Sequence, residues 1–106
     1  MAFEVVWHPL ASVDLEDAID YLFREFGWTA SQKLYSEVEE RINHLSEFPK
    51  LGVKCDGITY HGDEVRVWNV HQNAIVYAVG EKQITIIVFW NNHRDPSCLE
   101  VLIGSR

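Results

Sequence analysis

Cysteine, proline, glycine and basic side chains are all scarce in this 106-residue chain, which has two Cys, three Pro, six Gly and nine Lys plus Arg against sixteen Asp plus Glu. Two cysteines, Cys55 and Cys98, form no spaced metal motif and no disulfide framework, and are expected as free thiols. Few prolines and glycines leave no Pro/Gly-rich linker or low-complexity tract, so a single domain over residues 1–106 is expected. The shortage of Lys and Arg gives a formal net charge of −7, which argues against a generic nucleic-acid binder. No apolar run approaches the roughly 20 residues that cross a bilayer. The first nine residues have no basic n-region followed by an apolar core, so no signal peptide is expected and the cytoplasm is the expected address.

What remains is an ordinary globular composition, 47% apolar and 24% charged, with its charge unevenly spread. Residues 1–53 hold ten acidic and four basic side chains, a charge of −6, and residues 54–106 hold six and five, a charge of −1. The first half also carries the helical periodicity. Phe3 to Trp7 is a short strand, stopped at His8-Pro9. Ala11, Leu15, Ala18, Ile19, Leu22 and Phe26 then recur at helical spacing up to Gly27, with Asp14, Glu16, Asp17 and Asp20 in the early turns near the positive end of the dipole. Thr29-Ala30-Ser31-Gln32 has capping-box spacing, and Leu34, Val38, Ile42 and Leu45 form the stripe of a second helix that ends at Phe48-Pro49. The pattern predicts an α-hairpin, acidic outside and apolar inside.

The second half is β-rich. A loop from Pro49 carries at most a short edge strand at Ile58 to Tyr60. Three runs follow, Val65 to His71, Ala74 to Val79 and Ile84 to Trp90. With Gln72-Asn73 and Glu81-Lys82 as hairpin turns, His71 faces Ala74, Trp68 faces Tyr77, Tyr77 faces Ile86 and Ile75 faces Val88. One face then carries Trp68, Val70, Ile75, Tyr77, Val79, Ile84, Ile86, Val88 and Trp90, and seats the helices. The other carries Val65, Val67, Asn69, His71, Ala74, Val76, Ala78, Thr85, Ile87, Phe89 and Asn91. That second face is too apolar to be simply solvated. Either a partner covers it, or a terminal helix after Pro96, with Leu99, Leu102 and Ile103, folds back over it. The fold class expected is α+β, β-α-α-β-β-β, with the helical hairpin on one face of a twisted antiparallel sheet and a short C-terminal helix.

The residues themselves resemble the RelE/ParE superfamily of bacterial toxins, the toxic halves of type II toxin–antitoxin modules. Trp7-His8-Pro9-Leu10-Ala11 followed by Asp14-Leu15 resembles the family's opening, and Ile19-Asp20-Tyr21-Leu22 its first helix. Leu45-x-x-Phe48-Pro49-x-Leu51-Gly52 resembles the passage after helix two, Ile75-Val76-Tyr77 its Ile-Val-Tyr strand, and His93-Arg94-Asp95-Pro96 its close. The resemblance implies a toxin held by an antitoxin that wraps it. RelE-like members are ribosome-dependent mRNA endonucleases, and ParE-like members inhibit DNA gyrase.

Departures from the family pattern favour the ParE-like branch. Cleavage of RNA needs cations on the open sheet face to stabilise the charged transition state. The family's arginine three residues before the strand tyrosine is Ala74 here, and its lysines align with Val65 and Val67. Only Arg94 keeps its counterpart. A nuclease would have to use His71, His93 and Arg94. The reading expected instead is inhibition of gyrase by binding, with no cofactor, no metal and no membrane or free nucleic-acid partner. The antitoxin or target is expected against Val67, Asn69, His71, Val76, Ile87, Phe89, Asn91 and Arg94. Arg66 and Tyr77 are expected to be structural, with Arg66 capping a strand end or pairing with a helix carboxylate. The alternatives kept open are the ribosome as target, with mRNA cleavage, and a non-toxic family member acting as a binding module.

Overall fold

The computed structural model describes residues 2–106, and Met1 lies outside the described residues. The chain runs β1 (Glu4–Trp7), α1 (Pro9–Phe26), α2 (Trp28–Glu47), β2 (Val53–Tyr60), β3 (Asp63–Val70), β4 (Asn73–Val79), β5 (Gln83–Asn91) and α3 (Ser97–Ser105). His8 starts α1 by accepting the Leu10 N–H on Nδ1 at 3.1 Å, and Pro9 supplies a preset helical φ. The carboxylates expected in the early turns of α1 begin after its first turn, which holds none. The dipole fades within one turn, so Asp14, Glu16 and Asp17 serve other purposes. Gly27 alone connects α1 to α2, at φ 90°, a conformation that side-chain-bearing residues rarely adopt. Because α2 is already helical at Trp28, the expected Thr29 capping box does not form. Ser31 Oγ instead donates to the Trp28 carbonyl at 2.8 Å.

The sheet order is β1-β5-β4-β3-β2, with β3, β4 and β5 antiparallel as the short turns require. The first strand joins the far edge parallel to β5, Trp7 opposite Ile86, and makes the sheet mixed. On the other edge, β2 is a full strand rather than the short segment expected at Ile58 to Tyr60. Its register slips between Lys54 and Thr59, which hid its alternation.

The β3–β4 turn is His71-Gln72, not Gln72-Asn73, so Val70 faces Asn73, Trp68 faces Ile75 and Arg66 faces Tyr77. His71 takes the left-handed φ of 57° that this turn demands. The slip from the expected pairing is two residues, so the face of every β3 and β4 side chain is unchanged.

In β5 the outcome differs. Tyr77 pairs with Ile86 as expected, but Val76 pairs with Val88 and Ile75 with Phe89, because Ile87 is an extra, bulged residue. One added residue inverts the parity of everything after it. Phe89 therefore joins the helix-side core with Ala11, Leu34, Val38, Tyr77 and Ile86. Val88 and Trp90 move to the opposite face with Val65, Ala74, Val76, Ala78 and Ile87. There α3 folds back and inserts Ile103, with Leu99 and Leu102 beside it. Of the two covers expected for this face, the chain's own helix is the one present.

Tyr77 and Arg66 together tie down the segment after α2. The Tyr77 hydroxyl donates to the Pro49 carbonyl and accepts the Gly52 N–H, both at 2.8 Å. Arg66 Nη1 donates to the Gly52 carbonyl at 2.7 Å, and its Nε meets Glu64 at 2.8 Å. The ion pair is thus within β3, not to a helix carboxylate. A Cβ at residue 52 would lie 2.7 Å from the Tyr77 hydroxyl and 2.9 Å from the Val67 carbonyl, so the close approach requires glycine. Residues quoted from three separate motifs, Pro49-x-Leu51-Gly52, Arg66 and Tyr77, form one lock.

Candidate functional site

The β3–β4 turn and the segment leaving β5 meet at one end of the sheet. Asn92 N–H donates to the Gln72 carbonyl at 2.9 Å, and its side-chain amide donates to Asn69 Oδ1 and the Asn73 carbonyl, both at 3.2 Å. Asn91 Oδ1 accepts the His93 N–H at 2.9 Å. The polar corner expected after the last strand is therefore a hydrogen-bonded assembly of asparagines, and it exposes Asn69, His71, Asn91, His93 and Arg94.

The three residues a nuclease would use do not converge there on one cavity. His71 Nε2 meets Glu37 Oε2 of α2 at 2.6 Å. The Arg94 guanidinium lies over the Trp90 ring, 4.8 Å from its centroid, a cation–π contact. His93 lines none of the depressions that His71 or Arg94 borders, and His71 and Arg94 share none of them. Asp95 does not pair with Arg94. It accepts the Ser97 N–H at 3.0 Å, and that bond, with the Ser97 hydroxyl, holds its carboxyl below the usual carboxylate range.

The eight residues expected to meet a partner divide by burial. Asn69, His71, Asn91 and Arg94 are exposed and Val67 is half-buried. Val76 and Ile87 have no exposed surface and lie under α3, and Phe89 is 5% exposed on the helix side. The expectation that Val76, Ile87 and Phe89 are presented on an open face is therefore corrected, through the α3 cover for the first two and the bulge for the third. Val65 and Ala74, two of the positions where the resemblance implies cations in cleaving members, are likewise fully buried.

Beyond the end of β1, the free edge of β5 at the bulge is capped by Asp14 and Arg106. Asp14 Oδ2 accepts the Phe89 N–H at 3.2 Å and the Arg106 Nη1 at 2.6 Å, and Arg106 Nη1 also donates to the Ile87 carbonyl at 2.9 Å. In the sequence Asp14 stands among the early-turn carboxylates of the first helix and beside Leu15 in the opening resemblance, and no local pattern pairs residue 14 with residue 106.

Several depressions mark the helical side. One, of about 560 Å³, lies between α1 and α2 over Leu15, Ile19, Val38 and Ile42, with Glu16 and Glu39 on its rim. The Tyr35 phenol, hydrogen-bonded to Glu39, is pushed up by that carboxylate. Two more, of about 270 and 440 Å³, lie where the hairpin meets the polar corner. Both are lined by Tyr21, Leu22, Gln72 and Asn73, so they are two separate depressions that adjoin along one seam. Among the described residues no His/Cys/Asp/Glu group is placed to hold a metal ion, and no helix is long and apolar enough to cross a membrane.

Comparison with known proteins adds a family to this geometry. A family model described as the ParE toxin of the type II toxin–antitoxin system parDE matches residues 5–96. Among solved structures, a chain described as "Chromosomal ParDE TA system from P. aeruginosa" is similar at 17% identity and a TM-score of 0.69, over 85% of this chain and 96% of that one. At that identity the likeness shows a shared fold. A search of curated proteins finds no match.

Proposed function

The chain belongs to the ParE toxin family of type II toxin–antitoxin systems, and we propose from that premise that it arrests growth by binding DNA gyrase, and that a cognate antitoxin neutralises it. The observation that carries the choice of binding over chemistry is the burial of Val65 and Ala74 in the cluster that Ile103 of α3 joins, at positions where RNA cleavage would need cations. His71, engaged by Glu37, and Arg94, stacked on Trp90, support the same choice, because they do not share a cavity in which a phosphate and a 2′-hydroxyl would both be held. The exposed residues Asn69, His71, Asn91 and Arg94 remain the part of the expected contact surface open to a protein partner.

A supercoiling assay tests this reading. Purified chain is expected to inhibit gyrase, and the product of the neighbouring gene is expected to restore activity. Unchanged supercoiling at molar excess of the chain would remove gyrase as the target. Transcript-end mapping after induction is expected to show no new 5′ ends inside translated mRNA, and their appearance would move the chain to the ribosome-dependent class. Continued growth on induction, with the partner still bound, would make it a binding module without toxicity.

A further inference from the structure

The seam between the helical hairpin and the polar corner differs in charge from the rest of this acidic chain. Of its carboxylates, Asp14 is already paired, with Arg106, and Glu37 lies 2.6 Å from the His71 imidazole. Its two long cations are not paired: among the described residues neither Lys33 at one end nor Arg94 at the other makes an ion pair, and both are exposed. Asp17 is the remaining carboxylate on the lining. The groove between α1 and α2 is the contrast, because Glu16 and Glu39 border it and it holds no cation.

Between the two cations the seam has an apolar floor and polar walls. Leu22, Ala30 and Leu34 form the floor beside the exposed ring of Phe26. Gln72, Asn73 and Asn91 bring carboxamides to the opposite wall. A carboxamide both donates and accepts, so such a wall can satisfy the N–H and C=O groups of an extended main chain, which a helix would keep to itself.

We propose that this seam receives an extended segment of the antitoxin in which an apolar side chain stands between two carboxylates, the apolar group over Leu22 and Leu34 and the carboxylates on Lys33 and Arg94. The proposal rests on the reading that the chain has an antitoxin, and it names the surface and the chemistry of that contact. The β3–β4 turn at His71-Gln72 forms one wall and lies against α2 through the His71–Glu37 contact.

The test uses the full chain with the neighbouring gene's product as probe, and measures affinity by calorimetry. Lys33→Glu and Arg94→Glu are each expected to weaken binding about ten-fold or more, and Phe26→Ala to weaken it by a similar factor. Lys82→Glu, an equal charge change on the exposed β4–β5 turn, is expected to leave it within about two-fold. All these side chains are exposed, so circular dichroism is expected to show each variant folded. Binding unaffected by Lys33→Glu and Arg94→Glu, or weakened as much by Lys82→Glu, overturns the seam while the antitoxin reading stands. No complex with the wild-type chain overturns both.

Discussion

Replacing Tyr77 with phenylalanine removes one oxygen and keeps the ring, which makes it a direct measure of the lock beneath the sheet. That oxygen accepts the Gly52 N–H and donates to the Pro49 carbonyl, each at 2.8 Å. Gly52 is buried, so its N–H loses its partner without gaining water, at a cost of about 1–3 kcal/mol. Pro49 is half-buried, so water replaces the hydroxyl at its carbonyl only in part and the cost there is the smaller of the two. Arg66 continues to hold the Gly52 carbonyl, so the loop stays in place and the orphaned donor stays buried. About 2 kcal/mol is therefore expected. For a domain of this size that lowers Tm by about 10 °C and moves the urea midpoint with an unchanged slope. The pH dependence gives an independent check. Burial pushes the Tyr77 phenol up, against the opposing pull of the Gly52 N–H and Arg66. The folded chain thus holds this proton more tightly than the unfolded one. Its stabilising contribution is whole below the unfolded pKa of about 10 and is lost as pH climbs from there toward the raised native value. In Tyr77→Phe that alkaline decline is expected to be shallower. A midpoint shift worth less than about 0.5 kcal/mol, or an alkaline limb identical to wild type, would refute the lock.

Other perturbations probe the remaining contacts. Gly52→Ala is expected to cost about 2–3 kcal/mol by urea denaturation, and less in the Tyr77→Phe background, where the hydroxyl 2.7 Å from the new Cβ is gone; an equal cost in both would mean the Val67 carbonyl alone sets the limit. Arg106→Met leaves Asp14, which is 22% exposed, and the Ile87 carbonyl without their shared donor. A loss of about 2 kcal/mol is expected, discounted from a fully buried pair, and a double-mutant cycle with Asp14→Asn that shows no coupling would disprove the cap. Burial, with the Asp56 charge behind it, pushes the Cys55 thiol up, whereas Cys98 is exposed. Alkylation at pH 8 is therefore expected in a fast phase at Cys98 and a slow one at Cys55, as mass spectrometry of the digested chain would show; equal rates would contradict the burial of Cys55.

Much of the fold is written in local pattern. Helical spacing from Ala11 to Phe26 and from Leu34 to Leu45, with Gly27 between, determined the hairpin, and the short β-rich runs determined the antiparallel order of β3 to β5. Parity on β3 and β4 also followed, since an error of two residues at the turn preserves it. The family resemblance was legible too, and the structure explains part of it: Gly52 and Tyr77 belong to one hydrogen-bonded lock, and Asp14 caps a strand edge.

What the tertiary structure alone decided begins at Ile87. Ile86-Ile87-Val88-Phe89-Trp90 is apolar at every position, so alternation carries no trace of an inserted residue, and only pairing with β4 reveals the bulge. That single residue sent Phe89 to the helices and Val88 and Trp90 to α3. The cover itself was equally hidden, because a short apolar helix suits either a partner or its own sheet. The choice lies in contacts between residues far apart in sequence, Ile103 on the sheet and Arg106 on Asp14. The surface proposed here for partners is thus not the apolar face that the sequence displays, but the polar corner and the seam beside it, formed where three separate segments meet.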